Sequence, residues 1–98
     1  MDRNLKWFEM PIGKQLANVG GEVNRAIKWK NKNDREKEFS FFNKAMDFLS
    51  LTMDDPKNKN RIPELTECRL ELLDFFYGGN IYSNTDQNIM KYFDDFLY

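Results

Sequence analysis

The chain has 98 residues and a mass of 11.8 kDa, with 41% apolar, 32% charged and 15% aromatic residues and a formal net charge of −1. That is one small domain with enough apolar material for a core, which excludes intrinsic disorder. A single cysteine excludes an internal disulfide framework, and the absence of histidine removes most metal sites, proton shuttles and nucleophile–base pairs.

Residues 1–10 read as an N-terminal extension with neither a signal-peptide core nor a membrane-length apolar run. The first helix is expected over about residues 11–31. Pro11 suits a first helical residue, and Ile12, Leu16, Val19, Val23, Ala26 and Ile27 recur at the spacing of one helix face. The second, over about 34–54, follows Asn33, read as an N-cap with Glu36 three residues on. It carries two apolar stripes side by side: Phe39, Phe42, Met46, Leu49 and Met53, then Phe41, Ala45, Phe48 and Thr52. Asp54, Asp55 and Pro56 stop it, and Lys57 to Arg61 reads as a polar, basic loop.

Pro63 opens the third helix, over about 63–77. Leu65, Cys68, Leu72, Phe75 and Phe76 share a face that Leu70, Leu73 and Tyr77 widen, and Gly78-Gly79 reads as a left-handed C-terminal cap. The fourth helix, over about 85–97, carries Ile89, Phe93, Phe96 and Leu97. No stretch alternates with period two. The expectation is all-α: a four-helix, up-and-down antiparallel bundle with short loops, forming one domain.

Three features depart from a plain bundle. Gly13, Ala17, Gly20 and Asn24 form a small-residue stripe beside the apolar face of the first helix, suiting either a tight contact within the bundle or a subunit interface. Its polar side carries Lys14, Arg25, Trp29 and Lys32. Arg25 and Trp29 are four residues apart, within touching distance on a helix, and the strip could meet an acidic protein partner or a nucleic-acid backbone. A pI near 5.4 disfavours nucleic acid. On the third helix, Glu64, Glu67, Glu71 and Asp74 make one acidic ridge, while Arg69 projects among apolar neighbours and needs a carboxylate mate or a partner. Residues 1–63 hold thirteen Lys/Arg and nine Asp/Glu, or +4, whereas residues 64–98 hold two and seven, or −5.

Enzymatic readings fare poorly. Di-iron bundles require Glu-x-x-His motifs, and there is no histidine. All-α nucleotide pyrophosphohydrolases resemble this chain in size and helix content. Their acidic pairs sit on two facing helices, whereas Glu64/Glu67 and Glu71/Asp74 share one. Cys68 lacks a histidine base, and the Gly-Gly pairs match no phosphate loop. No catalytic residue, metal or cofactor is expected.

Two resemblances remain. HEPN-type helical bundles, partners of minimal nucleotidyltransferases and in some cases RNases, are similar in size and helix count. Their RNase motif, Arg-x4–6-His, finds Arg69 but Asp74 or Phe76 in place of the histidine, so the resemblance implies an RNase-silent, nucleic-acid-binding or nucleotidyltransferase-partner bundle. The segments from Ile12 to Val23 and from Asp74 to Asp86, with the Asp55-Pro56-Lys57-Asn58 turn, resemble an uncharacterised family of small helical prokaryotic proteins without an assigned activity. Within the second segment, Tyr77 to Ser83 reads as a recognition loop or as a tight cap and turn, with Tyr77 and Tyr82 supplying aromatic contact area.

The expected function is non-enzymatic protein contact, with a homodimer as the first candidate. Nine Phe and two wide apolar faces are hard to bury when folding of so short a chain hides only about 60–65% of its unfolded surface. A reduced Cys68 suits the cytoplasm.

Overall fold

The structure, a computed structural model, describes residues 3–95 and the side chains from Leu5 onward. All regular structure among them is helical: α1 (Arg3–Phe8), α2 (Ile12–Asn31), α3 (Arg35–Asp54), a 3₁₀ segment (Pro56–Arg61), α4 (Ile62–Tyr77) and α5 (Asp86–Asp94). No helix among the described residues is long and apolar enough to cross a membrane.

The helix boundaries follow local chemistry, with four departures from the sequence expectation. Pro11 is extended and precedes α2 rather than opening it. Asn33 does not cap α3. It takes φ 60°, which asparagine tolerates, and closes α2: Asn33 N donates to Lys30 O at 3.1 Å and Asp34 N to Trp29 O at 3.0 Å. Asp34 is the N-cap, its carboxylate accepting from Lys37 N at 3.0 Å. The stretch read as a basic loop is the 3₁₀ segment, capped by Asp55 through Lys57 N at 3.1 Å. Finally, α4 does not end on a left-handed glycine, since no glycine has positive φ and Asn80 and Ser83 do instead. Gly78 matters through contact: a Cβ there would lie 2.8 Å from Asp74 Cα, so only glycine lets the chain turn back over α4.

The core takes Leu16, Val19, Val23, Ala26 and Ile27 from α2, and Phe42, Ala45 and Leu49 from α3. From α4 come Leu65, Cys68, Leu72 and Phe76, and from α5 Ile89 and Phe93. These are the faces that periodicity selects. The expected extension of the last helix to Phe96 and Leu97 lies outside the described residues. The small-residue stripe is used inside the chain at Gly20, where a Cβ would lie 2.4 Å from Phe93 Cβ. Ala17 flanks that seat, and Gly13 is half-buried.

The N-terminal stretch read as an extension contains α1, which joins the interior. Trp7 is buried, stacks on Phe48 with centroids 4.7 Å apart, and donates through Nε1 to Thr52 Oγ1 at 3.1 Å. A six-residue helix has no stability of its own and leaves its last carbonyls unpaired. Here Gln15 Nε2 donates to Trp7 O at 2.9 Å and Lys57 Nζ to Phe8 O at 2.7 Å. Gln15 and Lys57 also bond the buried Asp55 carboxylate, and Asn58 Nδ2 donates to Gln15 Oε1 and Thr52 O. This polar cluster ties α1, α2, α3 and the 3₁₀ segment together. Spaced over more than 40 residues and with no periodicity of its own, it gave the sequence reading nothing to detect.

Candidate interaction surfaces

The outer face of α4 is apolar and uncovered. At about 100° per residue, Thr66, Leu70, Leu73 and Tyr77 fall within roughly 60° of arc, beside the arc that enters the core. Leu70 is 47% exposed, Leu73 40% and Tyr77 43%, so the widened face expected from sequence exists and points outward. On α3, Phe39, which the periodicity assigns to the core, is 53% exposed. It meets Tyr77 edge-on at 6.1 Å, while Tyr77 also packs edge-on against the buried Phe42 at 4.8 Å. Burial and the charge of nearby Glu38 push the Tyr77 phenol up from its ordinary value, with Arg35 opposing.

Next to this face runs the acidic ridge, and each carboxylate on it holds local structure. Glu64 grips Arg61 through two bonds, at 2.8 and 3.1 Å, which lowers its pKa. Glu71 Oε1 accepts from Asn84 Nδ2 at 3.0 Å. Asp74 Oδ1 and Oδ2 accept from Ile81 N at 2.9 Å and Tyr82 N at 3.1 Å. The charge of Glu67 faces the Tyr82 phenol and raises its pKa. The loop after α4 is thereby built rather than loose: Asn80 Nδ2 donates to Asn84 O at 2.9 Å and Asn84 N to Asn80 Oδ1 at 3.0 Å. At its tip Ile81 is 87% exposed and Tyr82 46%. The tight-turn reading of this loop is met, and the turn leaves these two side chains exposed.

The Trp29 corner differs in membership from the expected strip. Arg25 does not reach Trp29. It pairs with Glu22 Oε1 at 3.4 Å, back along the helix, where Lys44 also approaches at 3.7 Å. The cations on the indole are Lys28, Lys32 and Lys37, whose Nζ atoms lie 5.2, 5.1 and 4.1 Å from the ring centroid. Lys37 comes from the first turn of α3, a residue the sequence could have offered once Asp34 was taken as the cap. Lys30 turns away to Asp86 Oδ1 at 2.8 Å, over Phe75.

Arg69 is half-buried, and its partner is a hydroxyl: Nη2 donates to Ser50 Oγ on α3. No carboxylate lies within 4 Å of it among the described residues, and Glu22 on α2 is taken by Arg25 and Lys44. The long guanidinium stem crosses apolar surface to reach a neutral acceptor.

Chemistry elsewhere is sparse. Cys68 is buried, and burial raises its thiol pKa to about 12 despite a hydrogen bond with Tyr92. Beside it, a cavity of about 110 Å³ lined by Leu72, Asn84, Tyr92 and Phe93 is far smaller than the roughly 300 Å³ of ordinary ligand pockets. Among the described residues no three His, Cys, Asp or Glu side chains are grouped to hold a metal ion.

No family model matches the chain, and no curated protein or solved structure matches it either.

Proposed function

We propose that this chain is a non-enzymatic protein-interaction module, an up-and-down antiparallel bundle of α2 to α5 that associates with a second copy of itself through the outer face of α4. One observation carries the reading: Phe39, Leu70, Leu73 and Tyr77 form a contiguous apolar surface on neighbouring helices in a chain of 98 residues. Patches of this kind mark interaction sites on small proteins. The face is short, which suits a weak, concentration-dependent dimer rather than an obligate one. Light scattering coupled to size exclusion tests it. The apparent mass is expected to climb from monomer toward dimer as loading concentration rises, and a mass that stays monomeric throughout overturns the reading.

The Trp29 corner favours a second contact, with an acidic protein segment. Lys28, Lys32 and Lys37 gather on one ring with no carboxylate within 4 Å of their Nζ atoms among the described residues. Ammonium groups over the indole leave it poorly placed to stack on a base, so this arrangement speaks for carboxylates over single-stranded nucleic acid. A polyglutamate peptide should bind in low salt and release on Lys37→Glu. Retention of single-stranded DNA in preference to the peptide would reverse the assignment.

A further inference from the structure

The seat of α1 is complete without α1. Each bundle side chain that bonds it also holds a partner inside the bundle. Thr52 Oγ1 accepts from Trp7 Nε1 at 3.1 Å and itself donates to Phe48 O at 2.8 Å. Gln15 Nε2 donates to Trp7 O at 2.9 Å and to Asp55 Oδ2 at 2.8 Å, while Gln15 Oε1 accepts from Asn58 Nδ2 at 2.8 Å. Lys57 Nζ donates to Phe8 O at 2.7 Å and also bonds the Asp55 carboxylate. Asn18 Nδ2, which reaches Met10 Sδ at 3.7 Å, donates to Lys14 O at 2.9 Å. Withdrawal of α1 therefore leaves none of these groups without a partner, and it avoids the penalty that normally pins a buried segment in place. On the departing side, Trp7 Nε1 and the carbonyls of Trp7 and Phe8 return to water.

The apolar contacts agree. The core draws on α2, α3, α4 and α5 and includes no residue of α1. Trp7 stacks instead on Phe48, which is itself only partly buried. Between α1 and α2 the chain passes through Pro11, which is extended at ψ 157° and has no N–H. Among the described residues no backbone hydrogen bond joins the chain before Pro11 to the chain after it.

We propose that α1 is a strap that opens as one unit on an intact bundle, swinging about Pro11 and uncovering Phe48 and Thr52. Asp55 keeps the seat in shape while the strap is away. Through its bonds to Gln15 and Lys57 it holds their donors aimed at the positions of Trp7 O and Phe8 O. Closed and open states then differ by the Trp7 stacking and the bonds to Thr52, Gln15 and Lys57, and the core is common to both.

Hydrogen exchange on the wild-type chain, over urea concentrations below the unfolding transition, tests this. The Trp7 indole N–H and the Met10 amide are expected to share one opening. Their protection should be roughly a hundred-fold or more below that of the Val19, Val23 and Leu49 amides, with a shallower urea dependence because little surface is exposed. Protection equal to that of the core, with the same urea slope, overturns the proposal, because α1 then leaves only when the bundle unfolds. Different openings for the two N–H groups overturn it as well, since they show fraying residue by residue. Trp7→Ala gives a second readout: Met10 should lose its protection while Val19, Val23 and Leu49 stay protected. Protection kept at Met10, or lost at the three core amides, contradicts a strap on an intact bundle.

Discussion

Phe93 seats its ring against the bare backbone of Gly20, where an added Cβ would come within 2.4 Å of Phe93 Cβ and 2.8 Å of Cγ. That contact docks α5 on α2. Alanine favours a helix over glycine by about 1 kcal/mol, but here the methyl must push a buried aromatic out of place. Gly20→Ala is expected to destabilise the fold by about 1–3 kcal/mol in chemical unfolding. Gly21→Ala is the control. Its Cβ meets only Arg25 Nη1 at 3.5 Å, an ordinary contact, and it should leave stability equal or raise it by up to about 1 kcal/mol.

Trp7 gives α1 its place. Trp7→Ala removes the Phe48 stacking and the bond to Thr52, and a loss of about 3–5 kcal/mol is expected. Trp7→Phe keeps the ring packing but leaves Thr52 Oγ1 without its donor, so a smaller loss of about 1 kcal/mol should follow. Equal stability of Trp7→Ala and wild type would show that α1 does not dock.

Most core positions on α2 to α5 were legible because burial on a helix repeats every three to four residues, and Leu16, Val19, Leu49, Leu65 and Leu72 follow that period. Two kinds of feature were not. Trp7 lies in a helix too short to show a period, and its partners Gln15, Thr52 and Lys57 are polar residues whose meeting depends on the tertiary fold. Phe39 shows the opposite error. It keeps the period of the buried face, but near the start of α3 its ring meets Tyr77 edge-on and stays 53% exposed. For the candidate surfaces, spacing singled out Trp29, Lys32 and Tyr77. The turn of Arg25 toward Glu22 and the choice of Ser50 by Arg69 depend on neighbours across the fold.

Acid should weaken the protein through Asp55 and Asp86. For both, burial raises the carboxyl pKa, but hydrogen bonds from Lys57 and Gln15 to Asp55, and from Lys30 and Asn31 to Asp86, outweigh it and hold the pKa below the ordinary 3.8. A carboxylate whose folded pKa is depressed stabilises fully above its unfolded value and loses that contribution as pH falls through the folded one. Unfolding free energy should therefore be flat above about pH 5 and decline below pH 3.8. Asp55→Asn should be less stable at neutral pH and show a shallower decline. An unchanged acid limb in that variant would contradict the assignment.

Asp74 organises the loop that carries Ile81 and Tyr82. Asp74→Ala frees Ile81 N and Tyr82 N, and hydrogen exchange over residues 80–84 should accelerate while α2 and α3 keep their protection. Since the site is exposed, the global loss should stay near 1 kcal/mol.

Light scattering on the wild-type chain and the Leu70→Glu/Leu73→Glu variant, matched in concentration, tests self-association through α4. Both proteins are expected to keep the same helical circular dichroism, the wild type to approach dimer mass at high concentration, and the variant to stay a monomer. Equal masses for the two proteins at every concentration would contradict self-association through α4.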